Sequence, residues 1–547
     1  MKKLFIALIL MAQLGFSTVV TNSLDGRDVI SAMYYAALKG EDFIFSPPVP
    51  NAPELYGKIG SGSSILIVQS SSHPALPGMA DDLRNKDNEV DVLLSENPYS
   101  TNLELARMSG ATSFVLVDPV YGYNTISALA YAKMKNMYLI FVDGQNAAQV
   151  VSFLKERNPQ DLLLYGYTDS NVKDALESGR LPFREINYGD KFEDNLELVR
   201  LYQQDSEPPL QVILSDGNAV DDTIAVGDNP VVLISPVIPS IVRDFIKENA
   251  VSGKIPVALV VEEGYAQTAY DLKSSINSEV GTDALHVFVK FGESSTLSGG
   301  MLPVEFFPLP GPVLGMNIVG VDYNKATSKL EITYENTGNA PEYVKSTILV
   351  FTDGEYVATL GDEVAFPLGK GEKSGRGYEI SIEEGQVSAN ITSMFGSSRR
   401  SAETGIQVLM SAGTVAFLDE SLLGIDSFSV DGPSGDLYVT FSNLGASEVY
   451  FQPYAIAEVE GRSTRLEDDK TYGLSSGESR MLKFPAIAKG GGKMVAGADY
   501  GSREAFLNKN IEEEFVPPPS GIDPLLLIGA LVLLAVIAGA YFLTRKK

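Results

Sequence analysis

The chain contains no cysteine. This excludes disulfides, thiolate metal sites, iron–sulfur clusters and cysteine nucleophiles at one stroke. Histidine is nearly missing too: His73 and His286 are the only two in 547 residues, too few for multi-histidine metal centres or repeated Ser–His chemistry. Positive charge is scarce, with 42 Lys and Arg against 70 Asp and Glu and a formal net charge of −28. Phosphate binding needs a basic footprint, so this balance argues against a nucleic-acid partner. Copies of so acidic a chain repel one another unless salt or divalent cations screen them, and Ca2+ is expected to bind only diffusely at the acidic surface. No Walker A sequence, zinc pattern or EF-hand loop is present, and no cofactor is expected. What remains is ordinary globular composition, 44% hydrophobic and 20% charged, long enough for three or four domains at roughly 150 residues each.

Both ends carry membrane signals. Met1-Lys2-Lys3 precedes an apolar run from Leu4 to Leu14 and then Gly15-Phe16-Ser17. A basic start, a short apolar stretch and small residues at the cleavage positions describe a secretory signal peptide over 1–17. An uncleaved anchor would need about 20 apolar residues. Near the other end, Leu525 to Leu543 is uncharged throughout. A helix there, rising ~1.5 Å per residue, approaches the ~30 Å hydrocarbon core. Arg545-Lys546-Lys547 follow it and Asp523 precedes it, so the bulk of the chain is expected outside, with a cytoplasmic tail at 544–547. The expectation is a single-pass type I cell-membrane protein. A cysteine-free extracellular chain must hold its domains together by core burial.

The N-terminal half repeats itself. Asp28-Val29-Ile30-Ser31-Ala32 resembles Asn124-Thr125-Ile126-Ser127-Ala128, 96 residues on, and Asn102-Leu103-Glu104-Leu105 resembles Asn195-Leu196-Glu197-Leu198, 93 residues on. Apolar runs such as Phe114–Val117 and Leu162–Leu164 alternate with amphipathic stretches, the pattern of βα units with a parallel sheet covered on both faces. A third, degenerate copy runs through Val212–Asp216, Val231–Ile234, Val257–Val261 and Val287–Val289. The reading is three tandem Rossmann-like α/β repeats at 18–110, 111–206 and 207–294.

After a Pro/Gly-rich boundary ending in Pro308-Leu309-Pro310-Gly311-Pro312, the pattern becomes period-two alternation. Leu330-Glu331-Ile332-Thr333-Tyr334-Glu335-Asn336 matches Leu437-Tyr438-Val439-Thr440-Phe441-Ser442-Asn443, 107 residues on. Alternating strands with Gly/Asn turns, about a hundred residues per copy, read as two all-β sandwiches at 313–418 and 419–510. A Pro-rich spacer over 511–524 leads to the apolar segment.

The α/β repeats resemble the cell-wall-binding repeat 2 family, which occurs in tandem on prokaryotic surface proteins. The resemblance rests on Asp25-Gly26-Arg27-Asp28 and Tyr121-Gly122-Tyr123-Asn124 opening a helix, on the glycine turn Tyr165-Gly166-Tyr167, and on Pro98-Tyr99-Ser100-Thr101 where the family carries Arg-Tyr-x-Thr. The arginine of that signature is absent. The β modules resemble Ig-like modules of archaeal S-layer-type surface proteins. The joint resemblance implies a surface protein that binds envelope polymer, S-layer or neighbouring surface proteins.

Several motifs bear on chemistry. Thr101-x-x-Glu104 and Asp194-x-x-Glu197 fit capping boxes at helix starts better than paired catalytic acids. Asp25, Asp28, Asp118, Tyr121, Tyr123 and Asn124 fall at strand carboxyl ends, where doubly wound sheets hold ligands. Aromatic faces and planar polar groups there suit carbohydrate, although turn chemistry and helix capping account for the same residues. Gly473-Leu474-Ser475-Ser476-Gly477 has the spacing of a nucleophile elbow without the strand–turn–helix context, and Gly369-Lys370-Gly371 replaces it in the first β module. Gly60-Ser61-Gly62 precedes its strand, the wrong order for a dinucleotide loop. Asn390-Ile391-Thr392 is a glycosylation sequon. The expected role is therefore structural, adhesive or envelope-binding rather than enzymatic. The alternatives are a surface glycoside-type hydrolase working through carboxylates, with Asp216 among its acids, or a tethered solute-binding receptor.

Overall fold

The computed structural model describes residues 18–45, 59–71, 78–208, 210–290, 307–431, 436–459, 462–467, 470–484 and 493–515. Residues 1–17, which read as a signal peptide, and the apolar segment 525–543 lie outside them. Among the described residues no helix is long and apolar enough to cross a membrane. The chain divides into two compact units, one reaching Val313 and including Ser397–Ser401, the other comprising Leu314–Gly396 and the chain from Ala402 on.

The first unit holds three parallel sheets of identical topology. The first contains β1 (Thr18–Thr21), β2 (Asp42–Phe45), β3 (Ser64–Ser70) and β4 (Glu89–Ser95), with α1 (Gly26–Lys39), α2 (Met79–Arg84) and α3 (Pro98–Ser109). The second contains β5 (Ser113–Val117), β6 (Tyr138–Phe141), β7 (Asp161–Tyr165) and β8 (Arg184–Ile186), with α4 (Gly122–Met134), α5 (Ala147–Arg157), α6 (Ser170–Ser178) and α7 (Lys191–Asp205). The third contains β9 (Gln211–Ser215), β11 (Val231–Leu233), β12 (Val257–Val260) and β13 (His286–Val289), with α8 (Asp222–Ala225), α9 (Ser240–Val251) and α10 (Ala266–Val280). Strand orders are β2-β1-β3-β4, β6-β5-β7-β8 and β11-β9-β12-β13. The central strands are apolar on both faces, as a covered parallel sheet demands: Phe114, Val115, Leu116 and Val117 are all fully buried. The degeneracy of the third copy shows in α8, a single turn where α1 and α4 have 14 and 13 residues.

Helix starts differ from the sequence reading. Asn97 caps α3 through Ser100 N–H, with Pro98 in the first turn, and Asp190 caps α7 through Phe192 and Glu193 N–H. The two capping-box motifs therefore sit one turn inside their helices. Proline at the first helical position needs no N–H partner, so α3 begins before Thr101. Glu104 and Glu197 pair instead with Arg107 and Arg200 one turn on.

A short strand, β14 (Phe307–Pro308), pairs antiparallel with β10 (Ala219–Val220). Part of the stretch that reads as a linker is thus built into the first unit, because Phe307 and Leu309 are apolar and find cover, at 7% and 9% exposure.

The second unit is almost wholly antiparallel. Its first half runs β15 (Met316–Asn324), β16 (Lys329–Asn336), β17 (Glu342–Thr352), β18 (Glu355–Gly361), β19 (Phe366–Leu368), β20 (Lys373–Glu379), β21 (Val387–Gly396), β22 (Thr404–Ser411) and β23 (Gly413–Val415). Sheets β20-β16-β15-β23 and β18-β17-β21-β22 share one core, in which Leu330, Ile332 and Tyr334 of the first meet Val344, Ile348 and Ile391 of the second. The second half runs β24 (Leu423–Asp431), β25 (Asp436–Asn443), β26 (Val449–Val459), β27 (Arg462–Glu467), β28 (Tyr472–Leu474), β29 (Ser479–Phe484), β30 (Met494–Gly501) and β31 (Lys509–Phe515). Its sheets β24-β25-β29 and β27-β26-β30-β31 enclose the core around Leu437, Phe441 and Phe451. β31 continues through Phe515, into the stretch that reads as a spacer, because Ile511 and Phe515 pack on that core.

The duplication extends to detail. Both halves carry a register shift in their first strand, at Ile318/Gly320 and Ile425/Ser427. Asn336 Nδ2 donates to Ala340 O and Leu368 O, and Asn443 Nδ2 donates to Ser447 O and Leu474 O. Between the halves, Glu331, 2% exposed, accepts from Arg503 Nη2 at 2.9 Å and Asn324 Nδ2 at 2.9 Å. The Arg503 guanidinium also stands over the Phe417 and Phe506 rings.

Candidate functional site at the strand carboxyl ends

In a sheet of order 2-1-3-4 the connections leave in opposite directions from the first and third strands, which opens a crevice beyond their carboxyl ends. The three crevices here lie beyond β1/β3, β5/β7 and β9/β12, and the candidate ligand residues fall at the first two.

In the first, Asp25 caps α1 through Arg27 N–H at 2.9 Å and takes the Arg27 guanidinium on both oxygens, Nη2 lying 2.6 Å from Oδ2. Arg27 rests over the Tyr99 ring at 4.7 Å, and Tyr99 OH donates to Asp143. Asp25 is thus committed to a chain of contacts running into the second repeat. Asp28 is fully buried. Its Oδ2 accepts from Ser23 Oγ at 2.8 Å and Ser70 Oγ at 2.7 Å, and its Oδ1 has no partner. Burial pushes its carboxyl above the usual range, while the hydroxyls of Ser70 and Ser23 hold it back. Both seryl hydroxyls at the β1/β3 crevice are thereby committed to Asp28.

In the second crevice, Asp118 Oδ1 accepts Val120 N–H at 2.9 Å, closing the turn after β5. Tyr121, Tyr123 and Asn124 are 3%, 7% and 1% exposed. The Tyr121 ring meets those of Tyr123 and Tyr167 edge-on at 5.7 and 5.5 Å, and Lys191 Nζ lies 5.0 Å from the Tyr123 centroid. Asn124 occupies the position of Asp28. It presses on Gly166, where a Cβ would stand 2.1 Å from Asn124 Nδ2. Gly166 itself has φ +72°, a conformation that favours glycine. Asp194, 3% exposed, accepts Tyr188 N–H at 2.6 Å, and burial drives its carboxyl well up.

The third crevice carries a feature the sequence reading passed over. Ser215 Oγ donates to Glu262 Oε1 at 2.5 Å, and Asp216 lies in hydrogen-bonding reach of the same carboxyl. Burial, followed by the Asp216 charge acting against the Ser215 bond, raises Glu262 to about 8. Ser215 and Asp216 thus bring a hydroxyl and a second acid onto one half-buried carboxyl at the carboxyl end of β9. Close by, Lys290 Nζ pairs with buried Asp221 at 3.0 Å. Among the described residues no group of three or more His, Asp or Glu side chains could hold a metal ion.

One strap reaches all three crevices. Phe307 touches the Phe45 ring at 5.8 Å and lies over Gly26. Pro310 O accepts the N–H of Gly122 at 2.9 Å, and Leu309 N donates to Asn218 O at 2.8 Å. A Cβ on Gly122 would stand 2.5 Å from Leu309 Cβ, so glycine there is a requirement of close approach.

The residues that join the repeats were visible only as repeated letters. Asn102 of α3 donates from Nδ2 to Ser31 Oγ and Leu139 O, both at 3.0 Å, and accepts Phe141 N–H at 3.0 Å. Asn195 of α7 does the same one repeat later, donating to Ser127 Oγ at 3.0 Å and Val231 O at 2.8 Å and accepting Leu233 N–H at 2.8 Å. Each asparagine satisfies the free edge of the next repeat's outer strand, β6 or β11.

Elsewhere, Gly473–Gly477 joins β28 to β29. Ser476 Oγ donates to Gly445 O at 2.8 Å, and Ser475 N donates to Glu478 Oε2 at 3.0 Å. It is a strand–turn–strand connection that crosses from the sheet of β26 to the sheet of β25, so no helix follows the turn. Asn390 lies on β21.

No family model matches the chain, and no curated protein matches it. Among solved structures it is similar to Cwp8 from Clostridium difficile, at 15% identity and a TM-score of 0.39 over 50% of this chain and 49% of that one. The match therefore spans about half the length of Cwp8. It is also similar to the E. coli chaperone DraB, at 14% identity and TM-score 0.14 over 37% of this chain and 98% of that one. For the YadV chaperone the values are 11% identity and TM-score 0.13, over 37% and 98%.

Proposed function

We propose that this is a single-pass type I surface protein, held in the cell membrane by its C-terminal apolar segment. In this reading the three α/β repeats and the two Ig-like sandwiches serve a structural, adhesive or envelope-binding role. The observation that carries the reading is the filling of the crevices. Where doubly wound sheets take ligands, the first two hold the chain's own hydroxyls, tyrosines and asparagine, and the 307–310 strap lies against all three. At the joints between repeats, by contrast, Asn102 and Asn195 each make three hydrogen bonds, two of them into the neighbouring copy. That is the distribution expected of a chain selected for mechanical integrity. Envelope polymer or S-layer neighbours would then be met on outer surfaces, with divalent cations bound diffusely to screen the acidic charge. The test is protease applied to intact cells, followed by sedimentation of the full-length protein with purified envelope, with and without Ca2+. Release of a large fragment and co-sedimentation are expected. A protein that protease on whole cells leaves intact, or that stays in the supernatant, would defeat the reading.

A further inference from the structure

The Asn390-Ile391-Thr392 sequon lies within β21, a strand paired on both sides. β21 pairs with β17 on one side and β22 on the other, placing Asn390 opposite Leu349 and Leu409. Ala389 and Ile391 are fully buried in the core, so alternation turns Asn390, Thr392 and Met394 to the outer face of the sheet. In an extended strand the residues at i and i+2 share a face, which brings the Thr392 hydroxyl alongside the Asn390 amide. Asn390 Oδ1 accepts from Gln407 Nε2 at 3.2 Å, a bond that orients the amide and leaves its nitrogen uncommitted. Around it the surface is apolar: Leu409 is 69% exposed and Met394 43%. Leu409 on the edge strand and Met394 on its neighbour offer apolar surface that a group attached at Asn390 would reach.

We propose that Asn390 carries an N-linked saccharide whose first sugar lies across Leu349 and Leu409. The inference rests on the surface reading, since the donor would be a lipid-linked saccharide phosphate met during export. Asn390 Nδ2 forms a bond to the anomeric carbon as the carbon–oxygen bond to phosphate breaks. The lipid phosphate leaves with the electron pair and the amide nitrogen loses one proton, with no oxidation or reduction. The apolar C–H face of a pyranose then shields Leu409, which accounts for its exposure on the bare polypeptide, and completes the cover of the half-buried Leu349.

The experiment is peptide mass spectrometry on the full-length protein isolated from its native membrane, beside N390Q, T392A and T392S variants expressed in the same cells. A saccharide mass on the peptide containing Asn390 is expected in the parent and in T392S, and none in N390Q or T392A. Retention in T392S separates loss of the acceptor from loss of folding. Protein that protease locates outside the cell but whose Asn390 peptide is unmodified overturns this inference alone. An unmodified peptide in a chain that protease cannot reach overturns it together with the surface reading.

Discussion

Replacing Asn195 by alanine tests whether the repeats are held together by their asparagine bonds. Asn195 and Leu233 are fully buried, and Val231 is 1% exposed. The substitution removes bonds to Ser127 Oγ, Val231 O and Leu233 N. At about 1 kcal/mol net each they contribute about 3 kcal/mol, and the stranded carbonyl and N–H on β11 add about 1–3 kcal/mol apiece unless water enters the space left behind. An opening cost of about 3 kcal/mol or more at this joint corresponds to roughly a 100-fold or greater change in its local equilibrium. A chain of several domains has no single unfolding free energy, so amide hydrogen exchange is the suitable readout. N195A is expected to accelerate exchange at Leu233 by about two orders of magnitude while leaving Phe141, at the other joint, unchanged. N102A should do the reverse, and the double variant should show both effects independently, because the two asparagines share no partner. Exchange at Leu233 within about threefold of the parent would show that packing alone carries the joint and refute the argument.

Glu262, Gly122 and Arg503 give three further tests. Raised from 4.5 to about 8 in the folded chain, Glu262 contributes stability that is complete below its unfolded value and lost as pH climbs through about 8. At ~1.36 kcal/mol per unit the shift caps the effect near 5 kcal/mol, and partial exposure brings the expected change to about 1–3 kcal/mol. E262Q should match the parent near pH 4.5 and melt later than it at pH 8.5, and parallel melting curves across that range would refute the assignment. G122A forces a Cβ to 2.5 Å from Leu309 Cβ and should lift the strap at about 1–3 kcal/mol. Faster proteolytic cleavage near 307–312 would report this, with G26A, whose nearest neighbour is 3.3 Å away, as the mild control. R503A leaves Glu331 buried beside Asn324 without its cation and should cost about 3–5 kcal/mol. Adding E331Q should recover much of the lost melting temperature, and a double variant no better than R503A would place the loss in the aromatic contacts of Arg503 instead.

The sequence displays the order of architectures, parallel α/β units before antiparallel sheets, because that order is written in local period: continuous apolar runs such as Phe114–Val117, then alternation such as Leu330–Tyr334. Roles that depend on distant partners are not written there. Asn102 and Asn195 stand out as repeated letters, yet the carbonyls they bind lie 37 and 36 residues onward, and no local pattern names them. Thr101-x-x-Glu104 satisfies a local rule that Asn97 and Pro98 overrule one turn earlier. Pro308–Pro312 reads as a linker because turn chemistry dominates it, while the two apolar residues that seat the strap, Phe307 and Leu309, carry no local signature of their destination. Comparing the repeats with each other resolves part of this. Ser31 and Ser127, like Asn102 and Asn195, are identical between the first two copies and do the joining. Asp28 and Asn124 differ, as do Ser70, Gly166 and Glu262, which follow one another around the three sheets at the end of the third strand. Divergence therefore gathers at the crevices and identity at the joints. In a ligand-binding array the crevices would be the places held to one chemistry. Here each crevice meets its own packing problem with different side chains, while the joints keep the same asparagine and the same serine.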